Sequence, residues 1–402
     1  MRVLQINSVC GFGSTGRGTT ELASRLIEHG HECFVAYGQG TTTYANSFKF
    51  SGKVENHFHN LGSRLLGNQG CYSTTGTRNL VRYIDELEPD VVHLHNLHGH
   101  YLNLEILFAY LSKIDRPVVW TMHDCWAFTG KCVHYTAVNC DRWQTECHHC
   151  PQLSEYPPSL LFDRSTAQFC DKKKWFNSVK RMTIVSVSNW LAQQVKKSFL
   201  SGYPALTCYN WIDQGTFRPT LSDLRRRLGI DENAFVILGV SASWQSGSRK
   251  WIDFLQLSRL LGADMTLVLI GGTSRPVDLP DCVIWIPYVS SSNELAKYYS
   301  MADVFVHLSV EDTFGKVIAE ALACGTPAIV YESTGCPEVV GTGCGFKVAP
   351  RDTEAIFAAI QDVKQRGKHL FSQDCIDFVS TNFDYVRNTN WHLALYGRLI
   401  SQ

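Results

Sequence analysis

Charge is what this sequence has little of. Only 18% of its residues are charged, and 37 Lys and Arg are matched by 37 Asp and Glu. A chain without a basic excess is not built as a general nucleic-acid binder. An apolar fraction of 45% also separates it from charged, disordered chains. No run reaches about 18 uninterrupted apolar residues, so a membrane-spanning helix is not expected. The opening Met1-Arg2-Val3-Leu4-Gln5-Ile6 enters a strand-like run without the apolar core and cleavage site of a secretory signal. A cytoplasmic location is therefore expected. No repeat of roughly 20–50 residues and no low-complexity tract is present. The length, 402 residues, suits two domains of about 150–200 residues each. Cysteine, by contrast, is plentiful at 15. In a reducing compartment clustered thiols are candidates for metal ligation.

Short apolar runs alternate with helical stretches along the chain. Val3–Ile6, Cys33–Tyr37, Val91–His95, Val118–Met122 and Met182–Val187 read as buried parallel strands with polar residues at their ends. A helix from about Arg17 to His29 joins the first two. The pattern breaks near Ser201-Gly202-Tyr203-Pro204, then restarts with Phe235–Val240, Thr266–Ile270, Asp303–His307 and Pro327–Val330. Helices are expected over Ile252–Leu261 and from about Gly315 to Ala323. Two α/β segments in series imply two doubly wound, Rossmann-like domains facing a central cleft, with ligands at the carboxyl ends of the strands.

Several motifs fall at those strand ends. Gly11-Phe12-Gly13-Ser14-Thr15-Gly16 has the G-x-G-x-x-G spacing, in which Gly13 would let a phosphate or sugar approach the backbone. The second strand ends Tyr37-Gly38-Gln39 without the acid that a dinucleotide ribose needs, and a turn required only for packing stays open. Arg249-Lys250 offers two adjacent cations after a strand, suited to a diphosphate or to a solvated helix start. Glu311-Asp312-Thr313-Phe314-Gly315-Lys316 opens a helix in which Glu320 sits among apolar residues. A carboxylate there needs a partner, either a ribose hydroxyl pair or a protein group. Asp312 or Thr313 could equally be a helix cap. His123, at the end of Val118–Met122, is a candidate hydrogen-bonding group in the cleft. His95-Asn96 ends the preceding strand in the same way.

These residues together resemble glycosyltransferase family 4, the large retaining GT-B group. Asp312 and Glu320 have the spacing of its E-x7-E motif, and Ala323-Cys324-Gly325-Thr326-Pro327 matches its usual continuation. Asn210-Trp211-Ile212-Asp213 and Phe217-Arg218-Pro219 resemble its N-G-I-D…F-x-P hinge. The resemblance implies a donor-binding second domain. There Lys250 and Arg249 hold a diphosphate, Glu320 the ribose, and Asp312 or Glu311 the donor sugar, next to Phe314, Gly315 and Lys316. His123 would lie near the transferring bond. It implies domains at 1–205 and 206–383, with 384–402 a helix returning to the first domain. The implied activity is retaining transfer from a nucleoside-diphosphate sugar, of UDP or GDP type, to a saccharide or lipid-linked saccharide in bacterial surface-polysaccharide synthesis. Peripheral contact with the inner face of the membrane is part of that expectation, and a nucleic-acid partner is not. A nucleotide-sugar epimerase of similar fold and a non-catalytic zinc-stabilised module are the competing classes.

The stretch 125–156 is the most distinctive. Cys125, Cys132, Cys140, Cys147 and Cys150 crowd into it, with Cys147-His148-His149-Cys150 a C-x2-C pair. The stretch lacks apolar periodicity, so something other than a core is expected to order it. Cys132, Cys140, Cys147 and Cys150 are the expected ligands of a structural zinc. Free thiols and disulfides are the alternatives. The stretch resembles an insert found in a subgroup of bacterial family-4 enzymes.

Overall fold

The computed structural model of the chain describes every residue except Val277 and Asp281. It divides into two compact units, one formed by Met1–Cys208 with Thr389–Gln402, the other by Tyr209–Asn388.

The first unit runs β1 (Arg2–Asn7), α1 (Gly13–Glu28), β2 (Glu32–Tyr37), β3 (Ser47–Lys49), α2 (Lys53–Leu66), α3 (Thr74–Leu87), β4 (Val91–Leu94), α4 (Leu104–Leu111), β5 (Val118–Met122), α5 (Ser165–Phe176), β6 (Met182–Ser186), α6 (Asn189–Lys197) and β7 (Ala205–Thr207). Its sheet has the order β3-β2-β1-β4-β5-β6-β7, and every neighbouring pair is parallel. Every residue of β4, β5 and β6 is buried. A strand covered on both faces carries a continuous apolar run, as these do. The winding reverses between β1 and β4, which opens a crevice beyond their carboxyl ends. The break at Ser201–Pro204 is a turn inside this unit, because β7 pairs with β6 directly after it.

Helix α1 begins at Gly13 rather than near Arg17. The glycine-rich segment is its first turn. Gly13 has φ +64° and open space where a Cβ would stand, whereas a Cβ on Gly16 would meet Val9 Cγ2 at 2.9 Å. Gly16 thus serves packing, and Gly13 serves its left-handed backbone.

The second unit runs α7 (Leu224–Arg227), β8 (Phe235–Val240), α8 (Arg249–Ser258), β9 (Met265–Ile270), β10 (Val283–Ile286), α9 (Ser292–Met301), β11 (Val304–His307), α10 (Lys316–Ala323), β12 (Ala328–Tyr331), β13 (Gly345–Val348), α11 (Thr353–Arg366) and α12 (His369–Asn382). Its parallel sheet has the order β10-β9-β8-β11-β12-β13, so the winding reverses between β8 and β11. The last helix, α13 (Tyr385–Ile400), enters the first unit from Thr389. There the Tyr396 hydroxyl lies 2.6 Å from His93 Nδ1 and Arg181 Nη2 donates to the Leu399 carbonyl at 2.7 Å. Its buried positions are Asn388, Thr389, His392, Leu395 and Tyr396, a face rotated from the expected Trp391, Leu395 and Leu399.

The cysteine-rich stretch corrects one expectation, because it builds a core of its own. Trp143 packs between Phe128 (ring centroids 5.0 Å apart) and Tyr135 (4.9 Å), and Trp126, Phe128 and Trp143 are buried. Two lysines then tie down the irregular backbone. Lys172 of α5, fully buried, donates to the Trp126 and Thr129 carbonyls at 2.7 and 3.0 Å, and its Nζ lies 3.6 Å from the centre of the Trp126 ring. Lys131 Nζ donates to the Gln152 and Glu155 carbonyls at 2.6 and 2.7 Å. Aromatic residues spaced irregularly leave no periodic trace, yet they pack.

Candidate active site

In the second unit Lys250 and Asp312 come together beyond the β8–β11 switch point, and the other expected residues do not all join them. Ser248 caps α8 by accepting from Trp251 N–H. That fixes the first turn of the helix, where Arg249 and Lys250 diverge. Arg249 is exposed, and its charge acts on Asp253 one turn on. Lys250 is half-buried, and its Nζ donates to Ser241 Oγ at 3.2 Å. Burial lowers the Lys250 pKa, while the neighbouring Asp312 carboxylate works against that. So Lys250 stands beside the loop that follows β11, and Arg249 is not its companion there.

That loop is organised by Asp312. Its Oδ1 accepts from Phe314 N–H at 3.2 Å and Gly315 N–H at 2.8 Å, which folds the turn leading into α10; the helix itself starts after Gly315 without a side-chain cap, so neither Asp312 nor Thr313 takes the capping role left open above. Gly315 has φ +81°, and a Cβ there would strike the Ile318 side chain, so only glycine fits. The Phe314 ring is buried against Phe383, centroids 5.2 Å apart. Its side chain is therefore core, a correction to its placement in the donor set. Glu311 and Lys316 flank the loop half-buried. Glu320 is buried and receives the Tyr299 hydroxyl at 3.1 Å. The protein itself thus supplies a partner for that carboxylate.

Two residues that sequence reasoning passed over complete the cluster. His307, Asp312 and Cys336 bring ligand atoms within 4.8 Å of one another, a grouping of metal-ligating types. His307 Nε2 lies 3.4 Å from Asp312 Oδ2, but off the hydrogen-bonding direction, so this buried nitrogen has no hydrogen-bond partner among the described residues. Burial raises the Cys336 thiol well above its ordinary value. A neutral thiol beside the Lys250 ammonium is poor company for a divalent cation, and the local charge favours an anion.

In the first unit His123 is half-buried beyond β5, in a small recess shared with His95, His98, Asp124 and Trp126. A chain of hydrogen bonds fixes its tautomer. Gln5 Nε2 donates to the Thr19 carbonyl at 2.8 Å, which a carbonyl oxygen in its place could not do, so Gln5 Oε1 faces His95. His95 Nε2, 3.0 Å from that oxygen, must carry its proton. Burial first, and then the neighbouring imidazoles, hold His95 well below its ordinary pKa, so it is neutral and its Nδ1 is bare. His123 Nε2, 3.2 Å from that Nδ1, therefore donates. Whenever the His123 ring carries a single proton, that proton is on Nε2, and Nδ1 is the acceptor nitrogen. Gln5 carries no sequence signal for this role beyond being polar in a buried strand. Beside it, His98 Nε2 pairs with Asp124 Oδ2 at 2.7 Å. Burial alone would raise Asp124, but His98 and the Trp126 N–H hold it down to about 2.

In the insert, Cys132 Sγ and Cys150 Sγ lie 3.8 Å apart, and Gly130 N–H donates to Cys147 Sγ at 3.1 Å. Burial raises the Cys147 pKa to about 11, and Cys150 is lowered by its hydrogen bond with Cys132. Among the described residues the grouping of three or more ligand atoms within 4.8 Å is the one in the second unit.

Two doubly wound parallel units, each with its polar groups at the switch point, define the GT-B class of glycosyltransferases. The comparisons carry the assignment further. Residues 15–214 match the profile of Glycosyltransferase Family 4, and residues 235–365 match that of Glycosyl transferases group 1. A protein of Escherichia coli K12 assigned to colanic acid biosynthesis as the glycosyl transferase WcaC is 25% identical over 92% of this chain and 96% of its own. Among solved structures, sucrose-phosphate synthase of Thermosynechococcus elongatus superposes with a TM-score of 0.73 at 16% identity, covering 100% of this chain and 99% of its own. HepE of Anabaena, solved with UDP-glucose, gives 0.68 at 15%, covering 99% and 100%. The chain belongs to glycosyltransferase family 4, and it is a glycosyltransferase.

Proposed function

We propose that the protein transfers a sugar, with retention, from a nucleoside diphosphate to a saccharide hydroxyl, free or lipid-linked, in surface-polysaccharide assembly on the cytoplasmic side of the membrane. The observation that carries this reading is the inward-turned Lys250 at the β8–β11 switch point, close to the Asp312 loop. The similarity to the colanic acid protein and to the structure holding UDP-glucose supports it.

In this reading the second unit holds the donor. Lys250 meets the diphosphate, and Arg249 acts only if its side chain swings inward. Glu320 meets the ribose, sharing its carboxylate with Tyr299. Glu311, Lys316 and the Asp312–Gly315 backbone border the sugar. The first unit supplies the acceptor side, with Gly13 in the open first turn of α1. The bond from the anomeric carbon to the diphosphate oxygen breaks as the bond to the acceptor oxygen forms, and the acceptor proton leaves with the diphosphate. Negative charge grows on the departing phosphate, where a fixed ammonium stabilises it. His123 Nδ1 accepts from a sugar hydroxyl and orients it. The test is release of nucleoside diphosphate across a panel of UDP- and GDP-sugars with and without saccharide acceptor. Turnover that needs no acceptor would indicate an epimerase instead.

Zinc in the insert is a second part of the proposal, with Cys132, Cys140, Cys147 and Cys150 as ligands. Tetrahedral zinc with bonds of about 2.3 Å separates its sulfurs by about 3.8 Å, which is the Cys132–Cys150 spacing. Backbone N–H groups donate to the sulfurs of Cys147 and Cys150, and the charges of Lys131 and Lys172 act on three of the four thiols. Both features favour thiolate. Elemental analysis of protein purified without added metal should find about one zinc per chain; no metal with freely titrating thiols would remove it.

A further inference from the structure

A carboxylate, an imidazole and a phenol form a chain in the first unit. Asp124 follows β5, and its Oδ1 accepts from Trp126 N–H at 2.8 Å. Its Oδ2 lies 2.7 Å from His98 Nε2, and His98 Nδ1 lies 3.2 Å from the Tyr156 hydroxyl. The Asp124 carboxylate is ionised at neutral pH and can only accept, so His98 Nε2 carries a proton. With that single proton on the ring, Nδ1 is bare and the Tyr156 hydroxyl donates to it. The phenol oxygen has then spent its hydrogen. It offers lone pairs in a fixed direction, and hydrogen bonds linked in series strengthen one another.

The chain is not needed to hold the loop. The backbone on both sides of Tyr156 is already fixed, because Lys131 Nζ donates to the Glu155 carbonyl at 2.7 Å and Gln69 Nε2 to the Pro157 carbonyl at 3.2 Å. Drawing a carboxylate out of water is costly, and Asp124 and His98 are largely enclosed while Tyr156 is 47% exposed. The enclosed pair thus orients a group that faces outward. His98 and Asp124 also line the recess that holds His123. Charge narrows what the phenol can meet. With one proton on His98 the chain carries a net negative charge, which turns away a phosphate. An exposed aromatic ring beside a directed acceptor suits a neutral molecule with an apolar face and hydroxyls at its rim, which describes a saccharide.

We propose that Tyr156, oriented by His98 and Asp124, binds the saccharide acceptor. Its oxygen accepts from an acceptor hydroxyl, and its ring lies against the face of the sugar. His98 and Asp124 are positioning residues. The proposal rests on the reading that the first unit receives the acceptor. Tyr156 closes the 125–156 stretch, so the insert takes part in choosing the substrate.

Saturation-transfer NMR on the full chain tests this, with the methyl glycosides of glucose, galactose, mannose and N-acetylglucosamine as probes and dissociation constants taken by titration. Binding of at least one glycoside is expected. Tyr156→Phe keeps the ring and removes the oxygen, and it should weaken that glycoside about 2- to 12-fold. Tyr156→Ala, which also removes the ring, should weaken it further. Asp124→Asn releases the His98 tautomer, so nitrogen NMR of labelled histidines should show His98 losing its single Nε2–H form as glycoside binding weakens. A Tyr156→Phe variant that binds the glycoside as the native chain does makes the hydroxyl a stitch between loops and overturns the proposal. So does a native chain that binds none of the four. UDP and GDP titrations of the same samples are read separately. A native chain that binds neither nucleotide is the failure of the transferase reading, and it registers there rather than in the glycosides.

Discussion

The two switch points are furnished differently. At the ends of β1, β4 and β5 the first unit gathers Gln5, His95 and His123, which hold one another through hydrogen bonds, with Thr121 bonded to His93 beside them. Beyond β8 and β11 the second unit gathers a lysine and a carboxyl group, Lys250 and Asp312, with His307 and Cys336 against them. Neutral donors and acceptors of fixed tautomer select hydroxyls by direction. A half-buried ammonium selects charge, and it needs little direction to do so. In the proposed reading the same sheet architecture thus carries a hydroxyl reader in one unit and an anion holder in the other.

The largest test of that contrast is His123→Ala. Turnover should fall on the order of 10²–10³-fold, as for loss of a transition-state hydrogen bond, while calorimetry finds nucleoside diphosphate bound as before. Normal turnover would make the imidazole a structural group. Lys250→Ala should do the reverse, weakening nucleoside diphosphate about 10- to 150-fold with little effect on free nucleoside. Glu320→Gln, which still accepts from Tyr299, should shift both ligands alike and only slightly.

Below these comes a pH effect. Burial depresses Lys172 from 10.5 to about 7. Between those values the unfolded chain carries the extra proton, so this group makes stability rise with pH. Thiols raised by burial act in the opposite sense only above their ordinary value of 9.0. Metal-free protein should therefore gain on the order of 2 kcal/mol between about pH 7 and 9. Lys368, depressed to about 8 by burial, adds to the rise above that pH, so denaturant titrations of Lys172→Met should lose the part of the slope that begins near pH 7. The smallest effect sharpens the contrast most. Gln5→Met leaves His95 free to change tautomer, and turnover should drop roughly 2- to 12-fold. Nitrogen NMR of labelled histidines should then show His123 losing its single Nε2–H form; an unaltered tautomer would detach Gln5 from the site.

The sheets were legible where strands are buried on both faces, as at Val118–Met122, because a continuous apolar run needs no partner to be recognised. The short strands Ser47–Lys49, Ala205–Thr207 and Gly345–Val348, half-exposed along much of their length, left no such run. Helix α2 was missed for a related reason, since its apolar stripe is the exposed one. At the candidate site, spacing along the chain singled out Lys250, Asp312 and Glu320. It could not say which way Arg249 would turn, nor that Tyr299 would reach Glu320 from another helix. Those facts belong to tertiary placement. The Cys insert was read as needing a metal to be ordered, whereas packing among Phe128, Tyr135 and Trp143 was invisible to periodicity.

Lys172 has a consequence for anyone wishing to move the insert as a cassette. The residue belongs to α5, outside the 125–156 stretch, yet its ammonium is fully enclosed and its hydrogen bonds go to that stretch. Excising the cassette would strand a buried cation without acceptors, at a cost of several kcal/mol. Transplanting it would deliver carbonyls with no ammonium to receive. The insert and its host helix are therefore one inheritable piece, and a deletion that fails to fold would report on a lysine rather than on a metal.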